Sequence, residues 1–165
     1  MARDYKSLSL QEASKWYRNN TRKLAAEKKA KVPHKFESGN IYLYRYDPKT
    51  KDTLPYYDTL PVVLVLSLTN DGFYGLNFHY LPPASRLILL RKMQAFKLKS
   101  GEFLLDHSKI KNLDIFSEHE PTFKRYLFSH IRSNIRMIPV EDWKHVVSLS
   151  LESFVKATKE EVWGQ

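Results

Sequence analysis

The chain of 165 residues has no cysteine. That excludes a disulfide framework, a Cys-ligated zinc and a Cys nucleophile. Glycine is scarce, at five residues, and none falls in a Walker loop or a Gly-x-Gly-x-x-Gly pattern, which argues against nucleotide hydrolysis. No apolar run reaches the roughly 18 residues that span a bilayer, so no transmembrane helix is expected. The opening Met1-Ala2-Arg3-Asp4-Tyr5-Lys6 lacks the apolar stretch of a signal peptide, so a soluble protein made inside the cell is expected. Gly-x-Ser-x-Gly is absent, as is a helical His-x-x-x-His pair. Glu118-His119-Glu120 and Asp106-His107 hold ligand types without a metal spacing, so neither a metal site nor a cofactor is expected.

Acidic residues are the scarcer charge: 18 against 27 Lys and Arg, a net +9. The excess is concentrated. Residues 1–35 carry ten cations and three acids, so +7 of the +9 lies in the first fifth of the chain. Such asymmetry points to a polyanionic partner, most simply nucleic acid, or else to a solvated helix that maintains solubility. The hydrophobic content of 42% and aromatic content of 13% are too high for a disordered chain. The length suits one domain with a terminal arm. The expected division is a basic helical arm over residues 1–35 and one compact α+β domain over 36–165.

Ser9-Leu10-Gln11-Glu12 has capping-box spacing and starts a helix. Ala13, Trp16, Tyr17, Leu24 and Ala25 recur at helical intervals as a narrow apolar stripe, and Pro33 ends the helix by about Val32. Lys15, Arg18, Arg22 and Lys29 fall near another face. A helix that docks by Trp16 and Tyr17 while showing cations suits phosphate contact rather than base reading.

The centre is β-rich. Ile41–Tyr46 alternates, with Tyr42, Tyr44 and Tyr46 on one side and Ile41, Leu43 and Arg45 on the other. Asp47-Pro48-Lys49-Thr50 is a turn, followed by an ordered loop carrying Leu54, Tyr56, Tyr57 and Leu60. The run from Pro61 to Leu68 reads as a central strand buried on both faces. Asn70-Asp71-Gly72 makes a hairpin turn through positive φ, and Phe73–Phe78 returns as its partner. Gly75 marks a bulge or a close backbone approach. Small SH3-like barrels begin with this order, so the expected core is an SH3-like β-barrel or a curved antiparallel sheet. Further on, Ala84–Met93 reads as a helix with Arg86, Arg91 and Lys92 on its solvated side. Gly101–Leu105 is a short strand or turn, Pro121–Ile131 a helix, Arg136–Val140 an edge strand, and Glu141–Thr158 a final helix.

One string of residues is more specific. Tyr42-x-Tyr44-x-Tyr46-Asp47-Pro48-Lys49-Thr50-Lys51, Leu54-Pro55-Tyr56-Tyr57-Asp58, Pro61, Asp71-Gly72-Phe73 and Gly75-Leu76-Asn77-x-His79-Tyr80-Leu81-Pro82-Pro83 with Arg86 resembles the DNA end protector (DNA terminus, head-completion) family of contractile-tailed bacteriophages. Trp16-Tyr17 is similar as well, and the match spans roughly residues 14–93. The resemblance implies a virion protein without enzymatic chemistry that caps the ends of the linear packaged duplex. It implies double-stranded DNA and other virion proteins as partners, with no membrane and no small-molecule cofactor. The implied location is the virion, and the host cytoplasm during assembly and after injection. End capping needs phosphate contacts that ignore sequence, which the basic arm supplies.

The candidate DNA-binding residues are therefore Lys15, Arg18, Arg22, Lys23, Lys28 and Lys29, with Tyr56 and Tyr57 as stacking groups for a frayed terminal base. The alternative for these tyrosines is packing, with Asp58 capping a turn. His79 reads as a structural histidine, since no carboxylate or nucleophile stands at a recognisable spacing. Two other functions compete. One is a neck, tail or baseplate subunit that binds other virion proteins. The other is a toxin-like endoribonuclease acting through Arg45 or His79, although Leu60 stands where that family has an Arg before the second strand's Pro.

Overall fold

A strand that is apolar at nearly every position needs cover on both faces, and the run after Pro61 obtains it from Val62 to Leu66. The computed structural model describes residues 9–29, 35–100, 123–155 and 157–163. In it β3 (Val62–Leu68) is the middle strand of a five-stranded antiparallel sheet. The sheet order is β5 (Phe123–Leu127), β4 (Gly72–Asn77), β3, β1 (Ile41–Leu43), β6 (Arg136–Ile138). A second, two-stranded sheet pairs β2 (Tyr57–Asp58) with β7 (Phe154–Val155). Strands β5 and β6 are open edges, so the described residues form the antiparallel sheet and not a closed barrel.

Alternation along the strands sorts two cores. Ile41, Leu43, Val62, Leu64, Leu66 and Leu76 face a helical layer. That layer brings Tyr17 and Leu24 from α1 (Leu10–Ala26), Leu89, Leu90 and Met93 from α2 (Pro83–Ser100), and Trp143 and Val146 from the short helix Trp143–Val146. On the other face Tyr42, Tyr44, Tyr46, Val63, Val65, Phe73 and Tyr126 pack with Phe36 and Ile131. This second core is mostly aromatic, and its rings meet edge-on in pairs such as Tyr44 with Tyr126 and Tyr46 with Tyr126. Each such pair contributes about 0.5–1.5 kcal/mol beyond buried area.

The hairpin at Asn70–Gly72 is present, with β3 and β4 paired antiparallel. The expected reason for it is wrong. The glycine with positive φ among the described residues is Gly39 (φ 90°). Gly72 is needed instead for proximity, because an added Cβ would land on the Tyr126 carbonyl of β5. Gly75 combines both expected features. A Cβ there would meet the Val63 side chain, and the β3–β4 register shifts between Val65 and Ser67, opposite it.

Three helical expectations change. First, α1 begins as expected, with Ser9 Oγ accepting from the Glu12 N–H at 3.2 Å. It stops at Ala26, well short of Val32, because Glu27 turns extended and residues 27–28 engage the loop before β6. Asn134 donates to the Lys28 carbonyl at 3.0 Å and Arg136 reaches Glu27 at 3.4 Å. Second, Phe123–Leu127 is a strand, not a helix. The edge of β4 offers it a five-residue ladder, and pairing outweighs local preference. Phe123 then joins the helical layer while Tyr126 joins the aromatic core. Third, the single helix expected over 141–158 is replaced by a four-residue helix and the strand β7, and a separate helix follows at Lys159–Trp163. The break has a cause. Arg86 takes the Val147 and Leu149 carbonyls, at 3.1 and 2.7 Å, that a continuous helix would use internally. The Gly101–Leu105 reading and the two His-acid pairs lie outside the described residues.

Candidate nucleic-acid interface

Helix periodicity puts Lys15, Arg18 and Arg22 on one exposed face of α1, where they border a shallow groove with Gln11, Ser14 and Asn19. Arg18 also bonds Glu152 at 2.9 Å, an exposed ion pair that exchanges partners at small cost. The helix that carries these cations is firmly seated. Tyr17 is buried and its hydroxyl donates to the Leu60 carbonyl at 2.7 Å. Trp16 stacks on His145 with ring centres 5.1 Å apart. Lys23 turns toward a neighbouring groove that it shares with Arg136 and Met137 of β6. Lys28 is exposed beyond the helix end. The Lys29 ammonium donates to the Ile131 carbonyl at 3.0 Å, so its first role is to tie the helix end to the body.

The paired tyrosines separate. Consecutive residues in extended backbone point to opposite sides. Tyr56 packs against Tyr80 and Phe154, and its hydroxyl reaches the Glu161 carbonyl at 3.3 Å. Tyr57 instead lines a cleft of about 390 Å³ between the Asp47–Leu54 loop and strands β4 and β5. Tyr46, Tyr80 and Tyr126 share that lining, with Lys49, Lys124 and Arg125 as its cations. The Lys124 ammonium stands 4.5 Å over the Tyr80 ring. Burial pulls its pKa down from the ordinary lysine value.

Beneath the cleft lies a cluster that sequence spacing missed. Asp58 is buried, and its carboxylate accepts from His79 Nδ1 at 2.5 Å, Ser153 Oγ at 2.5 Å, Asn77 Nδ2 at 3.0 Å and the Leu60 N–H at 3.1 Å. Burial pushes this carboxyl up, but the His79 imidazole and the hydrogen bonds outweigh it and hold the group below the usual range. The Leu60 bond is the turn cap expected of Asp58. The His79 carboxylate partner was not expected, because 21 residues separate the two in sequence.

This cluster contains Ser, His and Asp but not the geometry of a relay. In a hydrolytic triad one imidazole nitrogen faces the acid and the other the nucleophile. Here Ser153 bonds the acid itself and lies 3.5 Å from the same Nδ1. His79 Nε2 is buried without a hydrogen-bond partner among the described residues, and Trp163 donates to the His79 carbonyl at 2.8 Å. Arg45, the other residue of the nuclease reading, is exposed while His79 is fully buried, so the two share no accessible site.

Arg86 overturns its expected place on the solvated side of α2. Arg91 and Lys92 are exposed there, but Arg86 is 0% exposed. Its guanidinium bonds the carbonyls of Phe78, Val147 and Leu149 and lies 5.1 Å over the Trp163 ring. Burial brings its pKa down to about 9, which leaves it charged at neutral pH.

Polar chemistry inside the body thus serves to hold loops together, while cations and aromatic rings reach the surface. A surface so organised has the chemistry that suits a polyanion. The family model for the phage T4 terminal DNA protecting protein matches residues 2–164, and the chain belongs to that family. It is a phage protein that binds and protects DNA ends. Comparisons with curated proteins and with solved structures found no match.

Proposed function

We propose that protection is a capping event without chemistry on the DNA, and that the exposed face of α1 supplies the backbone contacts. The observation that carries this reading is the row Lys15, Arg18 and Arg22 on a helix locked to the body by Tyr17 and Trp16. Cations on a fixed helix meet successive phosphates without reading bases. Lys23 and Lys28 extend the basic surface toward the helix C-terminus. In this reading residues 1–35 form the DNA-contacting arm and 36–165 the body that positions it. The protein travels in the virion beside other virion proteins and acts in the host cytoplasm after injection. The reading needs no metal or cofactor, and the buried Asp58, His79 and Ser153 act as a structural tie.

Exonuclease digestion of a linear duplex tests it. The purified chain should slow digestion from the ends at modest salt and bind linear DNA in preference to closed circles. Unchanged digestion would refute end capping. Loss of the DNA's terminal nucleotides during binding alone would refute the absence of chemistry.

A further inference from the structure

The cleft beside Tyr57 has no part in a mechanism built on α1, yet aromatic rings, carboxylates and cations all line it. Its volume of about 390 Å³ falls in the range of small-molecule sites, about 300–1,000 Å³. Its walls are aromatic, with Tyr57, Tyr80 and Tyr126 on the lining. Its carboxylates are already engaged. Asp71 is held by Arg125 through two bonds of 2.8 and 3.0 Å. Both oxygens of Asp58 are taken by the cluster below. Two cations remain. Neither Lys49 nor Lys124 has a carboxylate partner among the described residues. Lys124 is half-buried and held over a ring, so it has lost hydration without gaining a counterion. An anion at the mouth would restore that loss.

Flat aromatic walls beside unpaired ammonium groups match a nucleoside monophosphate unit, with one π-face and one phosphate. We propose that this cleft takes the terminal nucleotide of a DNA strand, unstacked from its neighbour, with the base against Tyr57 and the phosphate at Lys49 and Lys124. The proposal rests on the end-capping reading above and supplies what α1 lacks. A row of phosphate contacts cannot distinguish an end from the middle of a duplex, whereas a pocket for one extruded nucleotide can. Terminal base pairs unstack at the least cost.

The test is a short duplex with 2-aminopurine at a strand end, compared with one carrying it five positions inside. Binding should change the fluorescence of the terminal probe and leave the internal one unaltered. Tyr57→Leu should abolish that change. It should also lower affinity for ends by roughly 5- to 150-fold, the scale of one base–aromatic stack, with affinity for closed circular DNA unaltered. Because Tyr57 sits in a short strand, Lys49→Gln with Lys124→Gln provides a second variant outside the core, and it should lose the same end preference. If the wild-type chain protects ends while the terminal probe behaves like the internal one, the cleft proposal falls and end capping stands. If the wild type shows no preference for ends, both fall. If free deoxynucleoside monophosphate binds the cleft but the terminal probe stays silent, the cleft serves free nucleotides and the proposal is overturned.

Discussion

At the residue scale, two buried charges decide more than their number suggests. Arg86 stands without a carboxylate among the described residues and binds three carbonyls from two distant segments. Arg86→Met keeps the apolar stem and strands those carbonyls, each costing about 1–3 kcal/mol. Urea denaturation should show a loss of at least about 3 kcal/mol, and a wild-type midpoint would refute the role. Asp58 is the one of the two that is sensitive to acid. Its folded pKa lies below the unfolded value of 3.8, so its contribution is complete above that value and is lost as pH falls through the lower folded value. Asp58→Asn should cost about 3 kcal/mol at neutral pH. The gap between variant and wild type should then narrow as pH drops below 3.8. Parallel stability curves would remove Asp58 from the acid limb. Neither role could be read from spacing. Arg86 looked like one of three cations on a solvated helix face, and Asp58 meets His79 only because β2 and the turn after β4 converge.

At the element scale, strands with strong alternation were legible and helices were less so. The alternating tyrosines of Ile41–Tyr46, whose first half forms β1, and the nearly continuous apolar run of β3 declare their faces, because a period of two has one solution once a side is buried. Phe123–Ile131 had spacing compatible with a helix, and the β4 edge decided otherwise. That edge makes a local test possible. Gly72→Ala would place a methyl group against the Tyr126 carbonyl, which is backbone and can yield only by moving β5. The expected cost is about 1–3 kcal/mol, the usual scale for overpacking. Thermal unfolding of the variant measures it, and an unchanged midpoint would show that β5 is free to shift. The expected final helix failed for a similar reason: its carbonyls had a better acceptor role facing Arg86.

At the scale of the whole molecule, charge and core are distributed unevenly. Most of the net +9 lies in residues 1–35, while the body closes two cores on the two faces of the five-stranded sheet. Binding carried by α1 should therefore be strongly dependent on salt. Replacing Lys15, Arg18 and Arg22 by Gln should reduce the slope of log K against log salt by up to about 0.9 for each lost phosphate contact. The change at Arg18 should be the smallest, because the Glu152 pair already engages it. A slope identical to wild type, measured by filter binding across salt concentrations, would remove α1 from the interface.

The sequence by itself determined the location of the charge, the start of α1, the central strand with its hairpin, and the resemblance to the end-protector family. These are local properties, set by period, capping and composition. Tertiary structure alone decided that the sheet stays open among the described residues, that Arg86 lies inside, that Tyr56 and Tyr57 part company, and that Asp58 meets His79. Each of these depends on contacts between residues far apart in the chain, which no local pattern records. The clearest case is the cleft: Tyr57, Tyr80 and Lys124 come from three separate elements, and only the folding of β4 and β5 beneath the Asp47–Leu54 loop brings them to one wall.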